Sequence, residues 1–360
     1  MRALCLLALF FAAAAQAQDW DMWDRYAERF VQQDGRTIDY SAADKTTSEG
    51  QAYTLFFALV ANDRARFDRI LGWTRDNLAQ GDLSARLPAW SWGKRVDGSW
   101  GVIDPNAASD ADMWLAYALL EAGQLWGEAR YRALGALLVA RIGKEEVVDL
   151  PGLGPMLIPG PQGFHPDAQV WRLNPSYMPI QILRRFAEEE PEGPWEKIAE
   201  NSLRLIKSSS PHRLAPDWAA YRVGKGFVID PVNGDVGGYD AIRVYLWAGM
   251  LADGDRLRHP LLSSLSAMRG ELKKNLVPPA IIHAASGAAE GSGPIGYTAS
   301  LLPYLKALGE ERLLRLQQER MKTVDSIRYY DRVLSMFGEG WLEGRFRFDI
   351  SGHCVPKWKR

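Results

Sequence analysis

Very little in this chain could cross-link it. Of its 360 residues only two are cysteine, Cys5 and Cys354, and Cys5 lies in a stretch that reads as a leader. One thiol is then left, which excludes an intramolecular disulfide, so stability has to come from the core. Charge of one sign is also missing: 43 basic residues stand against 44 acidic ones. A nucleic-acid partner would need a basic stripe, and no such stripe is present. The histidines, His165, His212, His259, His283 and His353, do not fall at metal-ligand spacing. No Gly-x-Ser-x-Gly elbow occurs. Neither a metal nor another cofactor is expected. Strand–helix alternation is absent too, which excludes a doubly wound sheet.

Long apolar runs are scarce. The one clear case, Leu4 to Ala15, is too short to span a membrane. It follows a positive start at Met1-Arg2 and ends in Ala15-Gln16-Ala17, the small–x–small pattern of a cleavage site. Residues 1–17 therefore read as a signal peptide. Residues 18–360 read as one exported domain, periplasmic or secreted, with no membrane span.

What the chain does have is helical periodicity and aromatic side chains. Tyr53, Phe56, Phe57 and Val60 recur at i, i+3, i+4 and i+7; Leu115, Leu119, Ala122 and Trp126 repeat at helical spacing, as do Ile242, Tyr245, Leu246 and Gly249. These segments are apolar on nearly all sides, as in helices buried by other helices. More amphipathic stretches lie between them, at 20–33, 65–79, 131–142, 194–207 and 311–320. Strand signals are confined to 147–150, 156–158 and 226–229. The fold class is all-α with long loops. The chain carries 14 Trp, 13 Tyr and 12 Phe, more than packing alone explains, because Trp90, Trp92, Trp100, Trp171, Tyr177 and Tyr239 sit in loops beside Gly, Pro and Asp. Aromatic faces in a polar cleft suit the apolar faces of pyranose rings.

Three buried helices begin alike. Thr46 to Gln51 leads into the first, with Ser48 as the expected N-cap and Gln51 three residues on; Ala108 to Asp112 leads into the second, with Ser109 capping and Asp112 three residues on; Gly237-Gly238-Tyr239-Asp240 leads into the third. Each puts an acid, Glu49, Asp110 or Asp240, in or beside the first turn. Alone, each reads as a dipole-complementing cap. Together, on the most buried helices and flanked by small and aromatic residues, they read as a site. Spacings of one and then two helix-hairpin units would make the inner helices parallel and bring the acids to one end. Cleaving a glycosidic bond needs two carboxyl groups, one protonated and one charged. Carboxylates crowded in a partly dry cleft meet that need, because repulsion keeps one of them protonated.

Two further motifs are set aside. Asp110-x-Asp112 looks like a metal-binding pair, but Asp112 holds a capping position. Gly291-x-Gly293-x-x-Gly296 has no predicted strand before it and carries Pro294, so it reads as a turn before a helix at 297–305.

The run Ala108-Ser109-Asp110-Ala111-Asp112, with Ala116, Ala118-Leu119-Leu120, Ala122 and Trp126, resembles the signature of family 8 glycoside hydrolases; Leu115 departs mildly from it. Thr47 to Tyr53, Trp171 to Tyr177 and Tyr239 to Arg243 also resemble that family, in family order, and the likeness runs from about Trp20 to Phe348. It is greatest to the periplasmic endoglucanases encoded with bacterial cellulose synthase, to which Gly338-x-Gly340-Trp341 and Arg345 to Phe348 add. The resemblance implies an (α/α)6 barrel and inversion of anomeric configuration. Glu49 then resembles the general acid, Asp240 the water-activating base, and Asp110 the acid that contacts the sugar at the cleavage point. Trp90, Trp92, Trp171, Tyr177, Tyr239 and Arg243 resemble subsite residues, with the choice of Trp90 or Trp92 as the stacking ring left open. The implied partners are β-1,4-glucan (cellulose) chains and the cellulose synthase complex. A xylanase, chitosanase or mixed-linkage glucanase on the same scaffold, or a non-catalytic glucan-binding subunit, are the alternatives.

Overall fold

A computed structural model describes residues 20–324 and 326–359. The signal peptide read at 1–17 lies outside the described residues. Helices α1 (Asp21–Phe30), α2 (Ser48–Val60), α3 (Arg64–Leu78), α4 (Ser109–Trp126), α5 (Ala129–Glu145), α6 (Ile180–Glu189), α7 (Trp195–Ser209), α8 (Ala241–Met250), α9 (Arg258–Ser264), α10 (Met268–Asn275), α11 (Ile295–Ala307), α12 (Glu311–Thr323) and α13 (Tyr329–Leu342) follow one another with short hairpins between. They form an (α/α)6 barrel, as the resemblance implied. Inner helices α2, α4, α6, α8, α11 and α13 alternate with outer helices, α9 and α10 sharing one outer position.

The two rings follow from apolar content. In α2 Glu49 is the only residue not buried, and every residue of α8 is buried. Outer α1 buries only Trp23, Tyr26, Ala27 and Phe30, a single stripe. Inner helices touch without side chains between them at two glycines. A Cβ at Gly249 of α8 would stand 2.2 Å from Tyr304 N of α11, and one at Gly338 of α13 would stand 2.0 Å from Ala299 O. Phe337 of α13 closes the ring: its centroid lies 4.7 Å from Phe57, 5.1 Å from Tyr53 and Trp114, and 5.2 Å from Trp247.

The amphipathic stretches became α1, α3, α5, α7 and α12. The strands expected at 147–150 and 226–229 form, the latter pairing with 219–222; the one expected at 156–158 lies at 154–157 and pairs with 147–150. Further short strands were not expected, among them the hairpin of Ser91–Lys94 with Trp100–Asp104 and the pairing of Val170–Leu173 with Ala219–Arg222. A strand, Ala288–Glu290, does precede the Gly-rich run. It pairs antiparallel with Ile281–His283, and Pro294 holds the N-cap of α11, so the run is still a turn. Among the described residues no helix is long and apolar enough to cross a membrane.

Candidate active site

The three acids meet, and what gathers them is Arg243. Its guanidinium is 1% exposed and lies beneath the cleft. Nη1 donates to Glu49 Oε2, to Asp110 Oδ2 at 3.0 Å and to Tyr53 Oη at 3.0 Å; Nη2 donates to Asp240 Oδ1 at 2.8 Å and to Ser176 Oγ at 3.0 Å. Arg243 was expected to line a subsite. It is instead a buried hub, because α8 is buried on every side and its first inward-facing position meets the starts of α2 and α4.

None of the acids caps its own helix. On α2 the cap is Thr47, one residue before the expected Ser48: Thr47 Oγ1 accepts Gly50 N at 3.0 Å, and Gln51 turns inward, accepting Thr37 N at 2.6 Å and donating to Thr74 Oγ1 at 3.0 Å. Glu49 is thereby released to the cleft. On α4 the N-cap position is Ala108, not Ser109, with no side-chain cap. Asp110 Oδ1 accepts Ala111 N at 2.8 Å. Asp112 is fully buried near Glu146, and burial pushes both carboxyls well above the carboxylate range. On α8 Asp240 holds the N-cap position without a capping bond; its Oδ2 accepts Asn174 Nδ2 at 2.9 Å. Asn174 is fixed in turn by Ser176, whose N and Oγ both donate to its Oδ1, at 3.0 and 2.7 Å.

The electrostatics separate the carboxyls. Burial pushes Glu49 up to about 8; Arg243 opposes this, while Asp110 and Asp240 reinforce it. Burial also raises Asp110, again against Arg243. One cation cannot neutralise three carboxylates in a cleft that leaves the Glu49 and Asp240 side chains only 24% and 29% exposed, so a proton is retained near neutral pH, and Glu49 holds it. The arrangement offers a protonated carboxyl and two further carboxyls within reach of one fixed cation. Among the described residues no group of three or more His, Cys, Asp or Glu is placed to hold a metal ion.

Aromatic residues around the cleft sort by free face. Trp90 is 39% exposed and sits beside the start of α2, where its O accepts Ser48 N at 3.0 Å. Trp92 has no free face: it stacks on Trp100 at 5.5 Å, takes the edge of Trp73 at 5.3 Å and lies under the Arg36 guanidinium at 4.4 Å. Of the two rings, that of Trp90 is the freer. Trp171 is buried, with His165 parallel to it at 4.2 Å. Tyr177 lies over Arg243 at 5.5 Å and beside Trp218 at 6.3 Å. Tyr239 is 53% exposed, and its carbonyl accepts Tyr330 Oη at 3.0 Å. Sequence reasoning missed Tyr53, Asn174, Ser176 and Tyr330. Asn174 and Ser176 fall inside the segment carrying the resemblance; Tyr330 had no local signal.

With acids, hub and aromatic cleft in place, the class is that of a glycoside hydrolase. The family model for glycosyl hydrolases family 8 matches residues 1–344, and the chain belongs to that family. It is 47% identical to an endoglucanase of Xanthomonas axonopodis pv. citri, across 99% of this chain and 94% of that one, and 44% identical to an endoglucanase of Escherichia coli K12, across 99% and 95%. Its structure is similar to that of an endo-1,4-D-glucanase from Vibrio fischeri ES114, at TM-score 0.89 and 41% identity, covering 95% of this chain and all of that one.

Proposed function

We propose that the chain is an inverting endo-β-1,4-glucanase of the periplasm that serves cellulose production. The observation carrying this reading is that Glu49 and Asp240 clasp different nitrogens of one guanidinium while burial keeps a proton on Glu49. Glu49 gives its proton to the glycosidic oxygen as the C1–O bond breaks. A water attacks C1 from the opposite face, and Asp240 takes its proton, so the new reducing end is the α-anomer. Asp110 contacts the sugar at the cleavage point. Arg243 then faces the newly charged Glu49, where a cation is worth most. Trp90, Tyr177 and Tyr239 line the subsites. The relatives named endoglucanase support a glucan substrate, and the leader-like residues 1–17 support export.

The test is cleavage of carboxymethyl cellulose by Glu49→Gln, which keeps size and loses the donor. Its kcat should fall by about 10²–10⁴-fold with the fold intact. A rate near wild type would remove Glu49 from its role. Fresh product followed by NMR should appear as the α-anomer; β-product would refute inversion. A panel of cellulose, xylan, chitosan and mixed-linkage glucan separates this reading from other substrates on the same scaffold.

A further inference from the structure

An aspartate at an N-cap ordinarily turns its carboxylate back onto the first free amides of the helix. Asp240 occupies that position on α8 and does not do so. Its backbone is already helical (φ −82°, ψ −48°), as at the second residue of a helix. Asp110 shows what an acid in the first turn does when the next amide is free: its Oδ1 takes Ala111 N. On α8 the equivalent amide, Ala241 N, is already used. Asp217 Oδ1 accepts Gly238 N at 2.8 Å, Asp240 N at 3.1 Å and Ala241 N at 2.7 Å. The next two amides, Ile242 N and Arg243 N, go to Gly238 O and Asp240 O. No amide in the first turn is left to pull Asp240 inward, and its carboxylate faces Arg243 and Asn174.

We infer that Asp217 is a positioning residue for the base: it caps the first turn of α8 and takes the Ala241 amide to which Asp240 would otherwise turn, so that the Asp240 carboxylate is free for the water. The inference rests on the reading of Asp240 as base. Asp217 is delivered by a strap laid against the start of α8. Ala215 N donates to Tyr245 Oη at 3.1 Å, one turn down the helix, and Asp217 N donates to Val236 O at 2.9 Å. The strap lies so close that a Cβ at Gly237 would stand 2.3 Å from Ala215 O. Burial and the neighbouring Asp240 push the Asp217 carboxyl up, and the three amides pull it back. A carboxylate beside a like charge, held by three N–H groups, is an expensive way to cap a helix. It is explained if the ordinary cap has been released for another task. Thr47 releases Glu49 by the same logic on α2.

The experiment compares Asp217→Ala, Asp217→Asn and Asp217→Glu with Glu49→Gln and Asp240→Asn. Without Asp217 the Asp240 carboxylate turns onto the freed Ala241 amide, as Asp110 does onto Ala111 N, and misplacing a reacting group by about 1 Å costs on the order of 100-fold. Asp217→Ala should therefore lose about 100-fold in kcat with KM within about twofold. Asp217→Asn should stay within about threefold of wild type, since Asn caps nearly as well as Asp. The deficit of Glu49→Gln should shrink on an aryl β-cellotrioside with a good leaving group, whereas that of Asp217→Ala should persist, because only the acid is bypassed. Wild-type kcat in Asp217→Ala overturns the inference. If that variant does not fold, Asp217→Glu replaces it, and wild-type kcat there overturns it equally. Asp217→Asn as inactive as Asp240→Asn overturns it by making Asp217 act through its own charge. Wild-type kcat in Asp240→Asn sinks the base assignment; loss there without loss in Asp217→Ala sinks only the capping role.

Discussion

The two ends of the barrel use the same materials to opposite effect. At the cleft, one buried guanidinium serves three carboxyls, Glu49, Asp110 and Asp240. At the other end, the C-terminal segment folds under the inner helices and brings cations to meet carboxyls. Glu121 Oε1 accepts Arg185 Nε at 2.8 Å and pairs with His353 Nδ1 at 3.0 Å; Glu121 Oε2 accepts Cys354 N at 2.7 Å. Arg185 Nη2 reaches Glu189 at 3.0 Å, and His353 Nε2 reaches Glu188 at 3.0 Å. Tyr117 Oη donates to Gly352 O at 2.8 Å and Trp358 Nε1 to Val60 O at 3.1 Å, which pins the segment in place. The lesson is one of supply. Arg132 Nε also reaches Glu189 at 3.6 Å, so Arg132, Arg185 and His353 match Glu121, Glu188 and Glu189. Where cations match carboxyls in number, the network holds the chain; where they are short, a proton stays behind and can be used.

Removing the hub should break the contrast most sharply. Arg243→Met leaves three crowded carboxyls with no cation, and loss of one preorganised charge of this kind costs about 10²–10³-fold in kcat. Here Glu49, Asp110 and Asp240 are displaced together, so kcat on carboxymethyl cellulose should fall by at least that much. The matching change at the other end is Glu121→Ala, which strands Arg185. It should lower the unfolding free energy by about 3–5 kcal/mol in a denaturant titration while kcat per folded molecule stays at wild type. A large kcat loss in Glu121→Ala, or none in Arg243→Met, would erase the distinction between the ends.

A smaller effect separates the two tryptophans. Trp90 offers a free face, so Trp90→Ala should raise KM by about tenfold, the loss of one stacking contact of roughly 1.4 kcal/mol, with kcat changed less. Trp92 is packed between Arg36, Trp73 and Trp100. Trp92→Ala should instead lower the melting temperature. Equal KM effects in the two variants would return Trp92 to the cleft.

Much of this was legible before the structure, and the gaps have physical reasons. The buried helices α2, α4 and α8 announce themselves because nearly every residue on them is apolar. Glu49, Asp110 and Asp240 stand out for the same reason, as acids at the starts of runs that are otherwise largely apolar. Inner helix α6 carries buried Gln181 and Arg185, which break the apolar pattern, and the buried partner of Arg185, Glu121, is far away in sequence. Helix α13 carries Gly338 and Gly340, which interrupt its apolar pattern; the close approach to Ala299 accounts for Gly338. The capping errors at Ser48 and Ser109 are single-residue shifts among neighbouring hydroxyl and small residues. Arg243 as hub, Asp217 as surrogate cap and Tyr330 behind Tyr239 are bonds between distant segments, and local spacing carries no trace of them.

The smallest expected effect concerns pH at the end away from the cleft. Hydrogen bonding to Glu121 raises His353 from 6.5 to about 9; burial and Arg185 oppose the shift, and Glu188 adds to it. The folded chain thus holds this proton more tightly than the unfolded chain does. Its contribution to stability is fully present below about pH 6.5 and is lost as pH rises through about 9. Melting temperatures measured from pH 6 to pH 9.5 should fall more steeply for wild type than for His353→Gln, which keeps side-chain hydrogen bonding and cannot titrate. At pH 6 the variant should be the less stable of the two, and by pH 9.5 the gap should have narrowed. Parallel curves would mean that His353 is held by packing alone, and that the charge matching assigned to this end rests on Arg185.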